Sequence, residues 1–221
     1  FYMTFISHVQ AILRQHGYNV LIASSNESYI QECRNIEMME HCMVDGLLIS
    51  VCDKERNTDV YRRIVSRGTP VVFFDRTIDN VEASQVRSDD YIMAFFMVEQ
   101  LIRSGNKRIV HISGPSRIRN AYERQRGYRD ALEKFHVDFN PDLVLPPALS
   151  AEEGSQVMDN FLDRNIPFDA VFGFTETALI GAKNLIQKRG LRIPDDVRVC
   201  CMAAPRSALL YTPPLPLLNS P

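Results

Sequence analysis

Several signals are missing from this sequence, and each absence removes a class of function. The five cysteines, Cys33, Cys42, Cys52, Cys200 and Cys201, form no CxxC pair and have no cluster of histidines beside them. An odd, scattered set of thiols argues against a disulfide framework or a zinc site and reads as buried free cysteine in a reducing compartment. No run of about 18 apolar residues occurs, which removes a membrane-spanning helix. The start carries no charged segment followed by an apolar core, so no signal peptide is legible. Excess positive charge is missing too, with 25 Lys and Arg against 27 Asp and Glu for a formal net charge of -2. A nucleic-acid surface needs a basic surplus, so any DNA contact is expected from a segment other than this one. The sequence holds no GxSxG, no P-loop, no HExxH and no GxGxxG. Its five histidines (His8, His16, His41, His111, His136) are scattered, and no spacing of Ser, His and Asp selects a triad. An enzyme is not expected, and no cofactor or metal is called for. His111, inside an apolar run, is expected to be a hydrogen-bonded core residue.

What is present is a regular alternation. The 221 residues are 45% apolar and 24% charged, an ordinary globular balance for one large or two small domains. A helical stripe at Phe5, Val9, Ile12 and Leu13 ends at Gly17, and the apolar run YNVLIAS that follows is expected to be a strand. A helix is expected over 28–42 with Ile30, Cys33, Ile36, Met39 and Met43 on one side, then a strand in VDGLLIS. A helix over 59–67 leads to a strand in TPVVFFDR. Further on, helices are expected over 89–104, 122–135, 151–164 and 177–190, alternating with strands over 108–113, 142–145, 169–174 and 197–202. The strands are continuous apolar runs, the pattern of parallel strands buried on both faces. Such βαβ alternation implies right-handed crossovers. The fold class is therefore α/β: two tandem Rossmann-like subdomains with parallel sheets flanked by helices, joined near residues 86–90, with a ligand cleft between them. The sequence opens directly on a helix and closes on the proline-rich TPPLPLLNSP, so the chain is expected to continue at both ends.

Ligands of such sheets collect outside the carboxyl ends of the strands. Ser24, Ser25 and Asn26, then Ser50 and Asp53, then Asp75 and Arg76 stand there in the first half. Gly114, Pro115 and the loop to Arg124, then Thr175 and Glu176, stand there in the second. Asp75 and Arg76 end a strand either as a solvated local ion pair or as ligand contacts. Arg124 is expected in the first turn of its helix, where a cation opposes the helix dipole. Its planar five-donor fork suits carboxylates, phosphates or sugar hydroxyls. The other reading of Arg124 is a salt bridge to Asp75, Asp89 or Glu176.

Taken in order, six motifs resemble the effector-binding core of the lactose/galactose repressor (LacI/GalR) family, and more loosely the periplasmic sugar-binding proteins of the same fold (periplasmic binding protein-like I). They are HGYNVLIASSNES, VDGLLIS, TPVVFFDR, VRSDDYIMAFFMVEQLIRSGNKRIVHISGP, RQRGYRDAL and GLRIPDDVRV. The resemblance covers nearly the whole chain. It implies an amino-terminal subdomain of residues 1–89 plus 218–221 and a carboxyl-terminal subdomain of 90–217, with chain crossings near Asp89 and Leu217. It also implies a DNA-binding head and a first core strand that this sequence does not include. Position by position, the resemblance carries ligand contact onto Phe1, Asp75, Arg76, Asn120, Arg124, Leu149 and Glu176, and Ser50 and Asp89 join them by place. The sequence departs from the family where a Gly-aromatic-Asp segment is replaced by Cys201-Met202-Ala203, where Pro216 and Leu217 stand for a usual Thr-Thr pair, and at Ile118.

The resemblance thus implies a cytoplasmic transcription regulator. A small, sugar-like effector binds between the subdomains, a homodimer forms, operator DNA is held by the missing head, and no membrane is involved. The alternative is a periplasmic sugar carrier. An enzyme on the same fold is a third reading that would need a catalytic group in the cleft.

Overall fold

A computed structural model describes residues 2–202. Two parallel sheets organise them: a three-stranded sheet in the order β1-β2-β3 and a four-stranded sheet in the order β5-β4-β6-β7. Phe1 and the segment 203–221, with Ala203, Pro216 and Leu217, lie outside the described residues.

The first sheet grows from α1 (Tyr2–Gln15), α2 (Tyr29–His41), β1 (Leu47–Ile49), α3 (Thr58–Ser66), β2 (Val71–Phe74) and β3 (Ser84–Val86). Parallel registers pair Leu48 with Val72 and Phe73 with Gln85. Alternation along β2 sends Phe73 onto Tyr61 of α3, ring centres 5.3 Å apart, and Phe74 onto Phe5 of α1 at 4.4 Å. The core beneath α2 and α3 is built by Ile36, Ile49, Tyr61, Ile64, Val71 and Phe73.

Three expectations change here. Residues 18–24 form no strand, and Leu21 and Ile22 are each 57% exposed. An extended segment becomes a strand only through a neighbour's ladder, and among the described residues none lies beside it. The buried side of α2 runs through Glu32, Ile36 and Met39, while Ile30 and Met43 face solvent. Glu32 goes inward because it is satisfied there: it accepts from the Cys52 backbone N–H at 2.9 Å, from Asn57 at 3.2 Å and from the Tyr61 hydroxyl. Third, Cys42 is exposed and Cys33 half-buried, so only Cys52, Cys200 and Cys201 are buried thiols.

The second sheet grows from α4 (Asp90–Arg103), β4 (Ile109–Ile112), α5 (Arg119–Lys134), β5 (Val144–Leu145), α6 (Ala151–Leu162), β6 (Ala170–Gly173), α7 (Glu176–Lys188) and β7 (Arg198–Cys201). Residues expected as a strand over 142–145 divide into a 3-10 turn, Pro141–Leu143, and the short β5. Strand alternation builds two layers. Ile109, Ala170, Phe172 and Cys200 face α4 and α5; Val110, Ile112, Val171, Val199 and Cys201 face α6 and α7. A Cβ on Gly154 would fall 2.0 Å from the Ala178 carbonyl oxygen, and one on Gly181 would fall 1.8 Å from that of Ala151. The α6–α7 crossing therefore depends on these two missing side chains.

Candidate functional site

The strand order of the second sheet sets the site's position. The connection out of β5 passes over β4 to reach β6, so the winding direction reverses between β4 and β6. Neighbouring strand ends diverge into helices at such a point and leave a crevice outside their carboxyl termini. Gly114 follows β4, and Phe174 and Thr175 follow β6. A Cβ on Gly114 would fall 2.4 Å from the Phe174 ring, so the glycine lets the two strand ends approach.

Arg124 spans this crevice. Its helix starts at Arg119, three residues earlier than the sequence pattern suggests, which moves Arg124 from the first turn to the second and away from the worst of the helix dipole. The salt bridge expected to Asp75, Asp89 or Glu176 is made with Asp90 instead. Nε and Nη2 reach Asp90 Oδ1 at 2.7 and 2.6 Å, Nη1 donates to the Phe174 carbonyl, and the guanidinium lies 4.9 Å over the Phe174 ring. Burial pushes the Asp90 carboxyl up, and Arg124 pulls it back. Asp89 plays a different part and caps α4 by accepting from the Ile92 N–H at 3.0 Å. Leu149 packs with Ile118, Ala121 and Phe174 as a small apolar wall. Glu176 opens α7 behind the Thr175 cap, and its Oε1 is buried without a hydrogen-bond partner among the described residues.

The first sheet contributes its own strand ends. Asp75 sits just past β2 in the left-handed region at φ 57, a strained conformation for a residue other than glycine. The Tyr2 hydroxyl donates to Asp75 Oδ2 at 2.6 Å and lies 3.1 Å from the Ser50 hydroxyl. Burial, reinforced by the Asp75 charge, pushes the Tyr2 phenol up to about 12. Asn120 of α5 donates to Asp75 Oδ1 at 3.2 Å, so the two halves meet at this carboxylate. Arg76 turns from Asp75 to Glu27, which its Nη1 contacts at 2.7 and 2.9 Å. Glu27 is held by a turn in which both Asn26 and Glu27 have positive φ.

More contacts cross between the halves nearby. The Lys54 N–H donates to the Arg117 carbonyl at 3.0 Å, Arg119 pairs with Asp79, and the Lys54 ammonium lies 5.5 Å over the Tyr122 ring. Lys54, Asp79, Arg119 and Tyr122 line a groove of about 330 Å³.

The structure thus joins Ser50, Asp75 and Asn120 in one network and groups Arg124, Leu149 and Phe174 in another. Arg76 and Asp89 are engaged elsewhere, and Phe1 lies outside the described residues. Sequence reading missed Tyr2, Asp90 and Phe174. An aromatic at the head of α1 and an aromatic ending β6 were the signals for Tyr2 and Phe174; Asp90 had none to separate it from Asp89.

His111 belongs to the core. It is fully buried, stacked between Tyr128 and Phe172, and its Nδ1 lies 3.1 Å from the Phe172 carbonyl. Its Nε2 has no partner among the described residues, so it is satisfied at one nitrogen only. Burial lowers its pKa from 6.5 to about 4. Among the described residues, no group of three His, Cys, Asp or Glu could hold a metal ion, and no helix is long and apolar enough to cross a membrane.

Comparison with known proteins matches residues 1–218 to the family described as periplasmic binding proteins and sugar binding domain of LacI family. The ribose operon repressor of Haemophilus influenzae is 25% identical over 221 residues, covering 100% of this chain and 66% of that protein. The transcriptional repressor CytR of Escherichia coli K12 is 27% identical over 201 residues, covering 90% of this chain and 58% of that protein. The chain therefore spans less than two thirds of the length of these curated relatives. Among solved structures, the transcription regulator CcpA of Lactococcus lactis superposes with a TM-score of 0.86 at 23% identity, covering 97% of this chain and 78% of that one. This likeness carries the two-sheet fold.

Proposed function

Because the chain belongs to the family of periplasmic binding proteins and LacI-family sugar-binding domains, we propose that it is the effector-sensing core of a DNA-binding transcription regulator. The observation that carries this reading is the meeting of the two halves where the end of β2 and the start of α5 join through Asp75 and Asn120, in a chain whose relatives include an operon repressor and CytR. A small molecule sits between the subdomains, with residues 2–89 on one side and residues 90–202 on the other. Ser50, Asp75, Asn120, Arg124, Leu149 and Glu176 surround it, with Arg76 at the margin. No reacting group is required of the cleft, since binding alone is its role.

Ligand held by both halves favours the closed arrangement by its extra affinity for that state and by no more than that. Closure turns one half on the other and alters the separation of two DNA heads in a cytoplasmic homodimer. Coupling of this kind is about 1–3 kcal/mol and reciprocal.

The test is made on the full-length regulator. An effector found by thermal shift is expected to change operator affinity, and operator DNA is expected to change effector affinity by the same factor. Effector binding that leaves operator affinity unmoved would favour the carrier reading, and a secretion signal preceding residue 1 in the gene would establish it. Tight binding that survives Arg124→Ala unchanged would remove Arg124 from the site.

A further inference from the structure

One apolar face of the second half has no partner among the described residues. Helices α4 and α5 lie side by side on one side of the four-stranded sheet, opposite α6 and α7. They approach closely because α5 carries Gly127 at the crossing, where a Cβ would fall 2.5 Å from the Tyr91 carbonyl oxygen. Helix α4 turns Ala94, Met97, Val98 and Leu101 inward. A second apolar stripe faces out, with Ile92 45% exposed, Phe96 49% exposed, and Tyr91 and Phe95 half-buried beside them. These four residues, with Asp130 and Lys134, line a groove of about 390 Å³. Large apolar side chains exposed together in one patch mark a contact surface.

The charges of this patch point to what covers it. Asp130 and Lys134 stand four residues apart on α5, the spacing at which opposite charges pair on a helix. They do not pair. Asp130 accepts from the Tyr91 hydroxyl, and the Lys134 ammonium lies 5.2 Å over the Phe95 ring. Neither has an ion-pair partner among the described residues. The neighbouring arginines do: Arg126, stacked over Tyr91, meets Glu123 at 3.0 Å, and Arg103 meets Glu99 at 2.7 Å. The groove therefore offers one unmatched anion and one unmatched cation beside an apolar centre. A partner charged with one sign would satisfy one of them and be repelled by the other. A second copy placed by a two-fold axis satisfies both, since each Asp130 then faces the partner's Lys134.

We propose that the α4–α5 face is a self-association surface on which a second copy of this chain seats antiparallel about a two-fold axis. Ile92 and Phe96 pack at the centre, and Asp130 meets the partner's Lys134 on both flanks. The apolar stripe spans about two turns of α4, whereas a stable interface buries about 800 Å² per partner. Association through this face is therefore weak and fills only as the protein is concentrated. It adds to any dimer formed through another face and does not depend on the effector-sensing reading.

Analytical ultracentrifugation of this chain over a concentration series tests the proposal, with mass read relative to the species present at high dilution. A doubling of that mass is expected as concentration rises. Asp130→Lys or Lys134→Asp alone sets like charges opposite one another at both symmetry-related contacts. Each is expected to weaken the step by about tenfold or more. The double swap, Asp130→Lys with Lys134→Asp, is expected to restore it, because the pairing is exchanged and kept. That recovery also shows that the charge variants fold. Phe96→Glu is expected to abolish the step with both of those charges in place. A mass that stays constant over the whole series overturns the proposal and leaves the face to a foreign partner. A step that every variant leaves unchanged uses another surface and overturns it too, as does a step that the double swap fails to restore.

Discussion

Asp90 is 6% exposed and its charge is balanced by Arg124 alone among the described residues. Removing one partner of a buried pair leaves the other unsolvated, at a cost of about 3–5 kcal/mol. Arg124→Ala is therefore expected to lower stability by that order in urea unfolding, and Arg124→Ala with Asp90→Ala to recover part of it. A single variant no less stable than wild type would mean the pair is not formed. His111 gives a pH-dependent counterpart. Its pKa falls from 6.5 to about 4 on burial, so between those values the unfolded state binds the proton and the folded state does not. Stability from this group is complete above 6.5 and is lost as the pH drops toward 4. The slope of stability against pH in that window is expected to be shallower in His111→Phe than in wild type. Equal slopes would show that the imidazole titrates normally in the fold.

At the level of helices and strands, the α6–α7 crossing makes the sharpest prediction. Gly181→Ala places a methyl against the Ala151 carbonyl, a backbone atom that moves only if the helices part. A loss of about 1–3 kcal/mol or more is expected in chemical denaturation, and an unchanged midpoint would mean a looser crossing. The starts of helices with side-chain caps were legible to within a residue, since Ser28, Asp89, Ser150 and Thr175 all accept from the first turn that follows them, while the ends of α6 and α7 fall two residues short of the pattern. The start of α5 was not legible, because its cap residue Ile118 offers no acceptor and is buried in the apolar wall. β3 escaped because its three residues, Ser84, Gln85 and Val86, carry no apolar run and owe their strand character to β2. The reverse error at 18–24 has the same origin, since pairing is a property of the neighbour. In the site, the strand-end positions of Asp75 and Glu176 could be read from pattern. The division of labour between Asp89 and Asp90 could not, because adjacent aspartates are distinguished only by the direction in which α4 leaves its cap.

Across the whole molecule, the halves meet through a polar seam: Asn120 with Asp75, the Lys54 N–H with the Arg117 carbonyl, Arg119 with Asp79, and Arg117 with Glu27. Polar junctions of this kind permit movement between units, and solvent-exposed ion pairs contribute about 0–1 kcal/mol each. Asp79→Ala is expected to raise the radius of gyration measured by X-ray scattering, and wild type is expected to expand similarly as salt rises. Identical scattering in both would show that the Arg119–Asp79 pair does not hold the halves together.

The apolar clusters respect the same seam. Among the described residues, one draws only on residues from Ile36 to Ala83, and the others only on residues from Ala94 to Met202. Heat absorbed on melting is therefore expected to spread over two overlapping transitions, giving a van't Hoff enthalpy smaller than the calorimetric one. A molecule gripped from both sides of the seam would draw those transitions into a single sharper peak, so the shape of a melting curve, and not only its midpoint, would report that the cleft is filled.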